Sequence, residues 1–218
     1  MQPELNFITE IALEAGAMLA RMQDGDLDVQ LKGRADLVTR ADKNVEAFLI
    51  ERVLQRFPTH AIISEESGSH PGDPEHQWFI DPLDGTLNYA HGLRYYCTTI
   101  AYARAGQLRL GVIYSPREEE CFTAELGKGA HLNGKPVFVS PAEKLEDSLL
   151  ATGFRATLID TPRSNYGNFP RVMTESWDSR SWLFSDGWCK LTREQHGVTL
   201  HDSHNGSINI CYLDGHVK

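Results

Sequence analysis

Leu5, Ile8, Ile11, Ala12, Ala15, Met18 and Leu19 recur three and four residues apart, which predicts an amphipathic helix with one buried stripe. Gly25 and the polar residues after it end that helix. The same spacing returns in Val45, Phe48, Leu49, Val53 and Leu54. It predicts a second helix that starts between Thr39 and Asp42 and stops before Pro58, because proline is poorly tolerated in a helix interior. On this pattern two helices precede any strand.

From His60 onward the texture changes to short apolar or β-branched runs between turn residues: Ala61 to Ile63, Trp78 to Ile80, Thr98 to Ala103, Leu110 to Tyr114, Cys121 to Ala124 and Val137 to Val139. They predict a mainly antiparallel sheet. Asn133-Gly134 stands between two of these segments, and both residues tolerate positive φ, so a tight hairpin is expected there. After Phe154 neither period is sustained through Arg155 to Trp188, while Gly206 to Leu213 followed by Asp214-Gly215 suggests a terminal strand pair. The expected division is 1–155 and 156–218, giving an α/β lobe in which two helices layer on the sheet, with a small irregular C-terminal appendage.

Composition narrows the function. The 218 residues carry a formal net charge of -9 and a pI near 5.4, which argues against nucleic acid as a partner, since phosphate contacts call for a basic face. Acidic clusters suit cations instead. The first residues lack a basic region followed by an uninterrupted apolar core, and no stretch is long enough to span a bilayer, so a cytoplasmic chain without a membrane partner is expected. Cys97, Cys121, Cys189 and Cys211 are scattered, so reduced thiols are the expectation.

The most informative segment is Trp78-Phe79-Ile80-Asp81-Pro82-Leu83-Asp84-Gly85-Thr86-Leu87-Asn88-Tyr89. A strand runs into two carboxylates separated by a proline that fixes the backbone. Asp81, Asp84 and the Leu83 carbonyl can therefore converge as hard oxygen ligands of the kind magnesium prefers. Gly85 and Thr86 would open a short helix whose backbone amides could cradle a phosphate. Taken alone, Asp84-Gly85 is more often a plain turn; the whole string shifts the balance.

Asp81-Pro82-Leu83-Asp84-Gly85-Thr86-Leu87-Asn88-Tyr89 resembles the signature of the inositol monophosphatase family. Ser64-Glu65-Glu66-Ser67-Gly68 is similar to its Gly-Glu-Glu segment, with serine in place of the usual glycine, and Asp36-Leu37-Val38-Thr39 with Asp42 matches its upstream element. Gly111 to Pro116, Gly127-Lys128-Gly129-Ala130 and Asn133-Gly134 resemble the segments that follow. The resemblance implies a magnesium-dependent phosphomonoesterase acting on inositol 1-phosphate or a related polyol or sugar phosphate. Glu65, Asp81 and the Leu83 carbonyl would hold one metal, and Asp81 and Asp84 a second. Glu65, assisted by Thr86, would orient or deprotonate the attacking water; Asp84, Gly85 and Thr86 would meet the phosphate; Asp42 and Lys32 would stand behind them. Read from the residues alone, Asp42 serves equally as an acid in a first helical turn and Lys32 as a solvated lysine.

Family members carry a second lobe that supplies a further aspartate in a Trp-Asp context. Trp177-Asp178 is the only such pair here, and its surroundings read as a loop. The tail from His204 to Lys218 resembles instead the His-x9-Asp-Gly ending of bacterial prepilin-like proteins. His196, His201, His204 and His216 read as exposed loop histidines, and Trp182, Phe184 and Trp188 as packing residues. The alternatives to inositol phosphate turnover are fructose 1,6-bisphosphatase or 3'-phosphoadenosine nucleotidase activity, a weakly active magnesium- or phosphate-binding subunit, and an assembly protein defined by its tail. The resemblance allows a homodimer and leaves oligomeric state open.

Overall fold

The computed structural model describes residues 3–25, 30–33, 36–141, 150–152 and 182–184, of which 30–33, 36–38, 150–152 and 182–184 by backbone alone. One compact unit contains Met1–Val137 and another contains Phe138–Ile210.

In the first unit, α1 (Leu5–Gln23) buries Ile8, Ile11, Ala12, Ala15 and Leu19, the stripe set by its periodicity. The chain then forms a short antiparallel pair, β1 (Gln30–Gly33) with β2 (Asp36–Val38), before α2 (Arg40–Arg56). The expectation that two helices precede any strand is therefore corrected. Strands of three and four residues are too short to show a period, so the pattern left no trace of them. α2 starts where its cap residue places it: the Thr39 hydroxyl accepts from the Ala41 and Asp42 amides, and Asp42 accepts from the Thr39 amide in return.

Eight strands make the sheet: β3 (His60–Ser64), β4 (Gly68–His70), β5 (Asp73–Asp84), β6 (Cys97–Arg104), β7 (Gln107–Ser115), β8 (Glu120–Glu125), β9 (Gly129–Leu132) and β10 (Lys135–Val137), with α3 (Thr86–Ala90) between β5 and β6. Their order is β10-β9-β8-β7-β6-β5-β3-β4, antiparallel except for β3 with β5. α1 packs on β6, β7 and β8, α2 on β3 and β5, and the helices pack on each other. This is the layered α/β architecture expected. Asn133 at φ 49° and Gly134 at φ 77° make the β9–β10 hairpin turn. Phe138 and Val139, expected within that last strand, lie past its end and are exposed. In the second unit β11 (Leu150–Thr152) pairs in parallel with β12 (Trp182–Phe184), so a strand lies within the stretch read as irregular. The predicted terminal hairpin, Asp178 and the four C-terminal histidines lie outside the described residues.

The middle of β5 carries an aromatic cluster. Trp78 is fully buried, with Tyr102, Phe57, Phe7 and His60 around it at ring-centroid distances of 5.2, 5.6, 6.2 and 6.4 Å. Its indole N–H donates to His60 Nδ1 at 3.0 Å, which requires that nitrogen to be unprotonated, and His60 stacks on His76 at 4.4 Å. Burial and then the neighbouring His76 lower the His60 pKa from its ordinary 6.5, with Asp73 opposing. The unfolded chain therefore takes up the proton first. Stability is expected to be fully present above about pH 6.5 and to decline as pH falls below it. Urea midpoints at pH 7.5 and 5.5 should differ in that direction, and the difference should shrink in His60→Asn.

Candidate active site

β5 ends in the motif that drew attention in the sequence. Along a regular strand Asp81 and Asp84, three residues apart, would face opposite sides of the sheet. The pairing with β6 slips between them: Asp81 stands opposite Thr99 and Asp84 opposite Cys97, so three steps on β5 match two on β6. This irregularity at Pro82-Leu83 brings both carboxylates to one side, and it is where a proline is tolerated inside a central strand. The Thr98 hydroxyl donates to the Pro82 carbonyl at 2.9 Å, and the Leu83 amide donates to Asp81 Oδ1 at 3.2 Å. Gly85, at φ 99°, turns the chain into α3 in a conformation that a side chain would strain.

α2 contributes from below. Its buried stripe is Ala41, Asp42, Val45, Glu46, Leu49 and Val53, so two acids occupy positions that the helical period assigns to the core. The Thr86 hydroxyl lies 3.0 Å from Asp42 Oδ1 and 3.1 Å from the Leu83 carbonyl oxygen, either of which can accept its proton. Thr39 Oγ1 donates to Asp42 Oδ2 at 2.6 Å. Asp42 thus both caps α2 and ties it to the start of α3. Gln23, the last residue of α1, holds the same loop from the other side: its amide donates to the Tyr89 and Leu93 carbonyls at 3.3 and 2.9 Å, and its oxygen accepts from Tyr96 and Arg117.

Glu65 begins the turn from β3 to β4, with its amide donating to the Ile80 carbonyl at 3.1 Å. Its carboxyl hydrogen-bonds Asp81. Two carboxyls can bond only by sharing a proton. Burial, then the charges of Glu65 and Asp84, then that hydrogen bond raise the Asp81 pKa well above the ordinary 3.8. Asp42 is also raised, by burial working against its bonds to Thr39 and Thr86. Among the described residues no three His, Cys, Asp or Glu side chains are grouped so that they could hold a metal ion. Glu65 and Asp84 are near enough to Asp81 to disfavour its charged form, a repulsion that a cation would relieve, while the Leu83 carbonyl lies 3.1 Å from the Thr86 hydroxyl.

A sequence profile of the inositol monophosphatase family matches residues 1–167. The chain belongs to that family. It is 41% identical over 171 residues to an inositol-1-monophosphatase of Synechocystis sp., covering 78% of this chain and 60% of that protein. It is 40% identical over 157 residues to the Nus factor SuhB of Escherichia coli, covering 71% and 59%. The chain thus spans about three fifths of the length of the curated relatives it matches. Among solved structures, the extragenic suppressor protein suhB of Bartonella henselae superposes with a TM-score of 0.73 at 33% identity over 82% of this chain and 69% of that one. An inositol monophosphatase from Anabaena gives 0.71 at 36% identity over 84% and 66%.

Within this inositol monophosphatase fold, Asp42, Glu65, Asp81, Leu83, Asp84, Gly85 and Thr86 all meet where β3, β5, α2 and α3 adjoin. Lys32 falls on β1, of which only the backbone is described. One residue of the site escaped the sequence reading. Glu46 is 6% exposed and accepts three hydrogen bonds from the turn that carries Glu65. Its signal was an acid on the apolar stripe of α2, four residues after Asp42.

Proposed function

We propose that this chain hydrolyses a phosphate monoester of a small polyol or sugar, inositol 1-phosphate first among them, with magnesium held by Glu65, Asp81, Asp84 and the Leu83 carbonyl. The observation that carries this reading is the Glu65–Asp81 carboxyl pair beside Asp84, whose mutual repulsion a bound cation would relieve. The family membership and the relative named inositol-1-monophosphatase support it.

When bound, divalent cations supply charge neutralisation at phosphate oxygens and a lowered pKa for water. Glu65, half-buried at the mouth of the β3–β4 turn, would accept the proton of the attacking water. Thr86, whose hydroxyl is held between Asp42 and the Leu83 carbonyl, would orient that water. The backbone of Gly85 and Thr86 at the start of α3 would face the phosphate. Asp42 would fix Thr86 without touching substrate. On this reading the first 155 residues form the catalytic lobe and residues 156–218 a separate segment.

The test is phosphate release from inositol 1-phosphate, fructose 1,6-bisphosphate and 3'-phosphoadenosine 5'-phosphate, with magnesium and after its removal by a chelator. Magnesium-dependent release from the first, lost on chelation and restored by magnesium, is expected. A folded chain that binds magnesium and releases no phosphate from any of them would favour a binding subunit.

A further inference from the structure

Glu46 Oε1 gathers three donors around one turn: the Ser64 hydroxyl, the Glu66 amide at 3.0 Å and the Ser67 amide at 3.0 Å. Glu65 sits between the first two of these. Its own amide is pinned to the Ile80 carbonyl at 3.1 Å, so the backbone on both sides of Glu65 is tied down by bonds that leave its side chain directed at Asp81. A turn of three residues between β3 and β4 has few other means of fixing its shape, and a buried carboxylate accepting three bonds on one oxygen is a strong organiser. α2 is the rigid element behind it: Val45, Leu49 and Val53 anchor the helix in the core, and Glu46 shares their face.

We propose that Glu46 is a positioning residue for the cation site: it presets the β3–β4 turn so that the Glu65 carboxylate meets Asp81, an inference that rests on the metal reading of that pair. Asp42 and Glu46, one helical turn apart on α2, then set the two loops of the site from a single face, Asp42 through Thr86 and Glu46 through the Glu65 turn.

Two conservative variants separate reach from charge. Glu46→Gln keeps the oxygen at the same distance and loses the charge; Glu46→Asp keeps the charge and falls one methylene short. Magnesium binding to the full chain is measured by calorimetry, with amide hydrogen exchange at Glu66 and Ser67 and thermal unfolding alongside. Positioning predicts that Glu46→Asp binds magnesium about 10- to 100-fold more weakly, as for other residues that orient metal ligands, with faster exchange at both amides. Glu46→Gln should stay nearer wild type in both readouts. Wild-type binding in Glu46→Asp, or a larger loss in Glu46→Gln than in Glu46→Asp, would overturn the assignment. If the wild-type chain binds no magnesium, the metal reading fails, and exchange at Glu66 and Ser67 alone decides whether Glu46 sets the turn.

Discussion

Asp81→Asn is expected to lower magnesium-dependent phosphate release on the order of 100- to 1000-fold, the size of effect seen when one preorganised electrostatic contact is removed, while making the metal-free protein more stable. Both directions have one cause. Asp81 stands at the centre of the acidic group, half-buried and facing Glu65, Asp84 and Asp42, so its ionised form is disfavoured without a cation. Asparagine has the same shape, keeps an oxygen for the Leu83 amide, and offers Glu65 a hydrogen-bond donor without needing a shared proton. It cannot supply a negative charge to a cation.

The pH dependence follows with a definite sign. A carboxyl whose folded-state pKa lies above its ordinary 3.8 contributes stability that is fully present below that value and is lost as pH rises toward the folded-state value. In the metal-free wild type this loss accompanies rising pH; in Asp81→Asn it is absent. Thermal unfolding with and without magnesium reads both effects. The wild type should gain stability on adding magnesium, and the variant should start higher and gain little. A variant that keeps the full magnesium-induced rise would remove Asp81 from the metal site.

Trp78→Ala is the substitution expected to cost the most stability, about 3 to 5 kcal/mol. That is a large share of the 5 to 15 kcal/mol by which a typical domain is stable. Trp78 is 0% exposed and is the shared neighbour of Phe7 from α1, Phe57 after α2, and Tyr102 on β6, so its removal opens a cavity where both helices meet the sheet. It also leaves His60 Nδ1 without the indole donor. Trp78→Phe loses that hydrogen bond but fills most of the space, and should cost markedly less. Urea unfolding of the two variants at pH 7.5 separates cavity from hydrogen bond; equal losses would mean that the hydrogen bond dominates.

Trp78 and Asp81 lie on the same strand, and the contrast between them shows where sequence reading succeeds. The run Trp78 to Ile80 announced a buried strand because apolar residues flanked by turn signals have few other folds available. The helices α1 and α2 were legible for the same reason, with the start of α2 placed between Thr39 and Asp42, and so was the Asn133-Gly134 turn, whose residues tolerate positive φ at little cost. Each is a local consequence of residue type and spacing. The short strands β1, β2 and β4 carry no period long enough to register, and their existence depends on backbone partners elsewhere in the chain.

By itself, then, the order of residues determined the two amphipathic helices, most of the sheet, the family signature and the candidate donors Asp42, Glu65, Asp81, Asp84 and Thr86. Only the tertiary structure decided which of these meet. The slip between β5 and β6 that turns Asp81 and Asp84 to one side is a property of pairing, and a strand read alone places residues three apart on opposite faces. The role of Glu46 has the same origin: on a helical wheel it is an acid out of place, and it becomes intelligible only when β3 and β4 bring the Ser64 hydroxyl and two turn amides to its carboxylate. Periodicity reports which side of an element is buried. It carries no information about the partner waiting there, because that partner is supplied by residues far away along the chain.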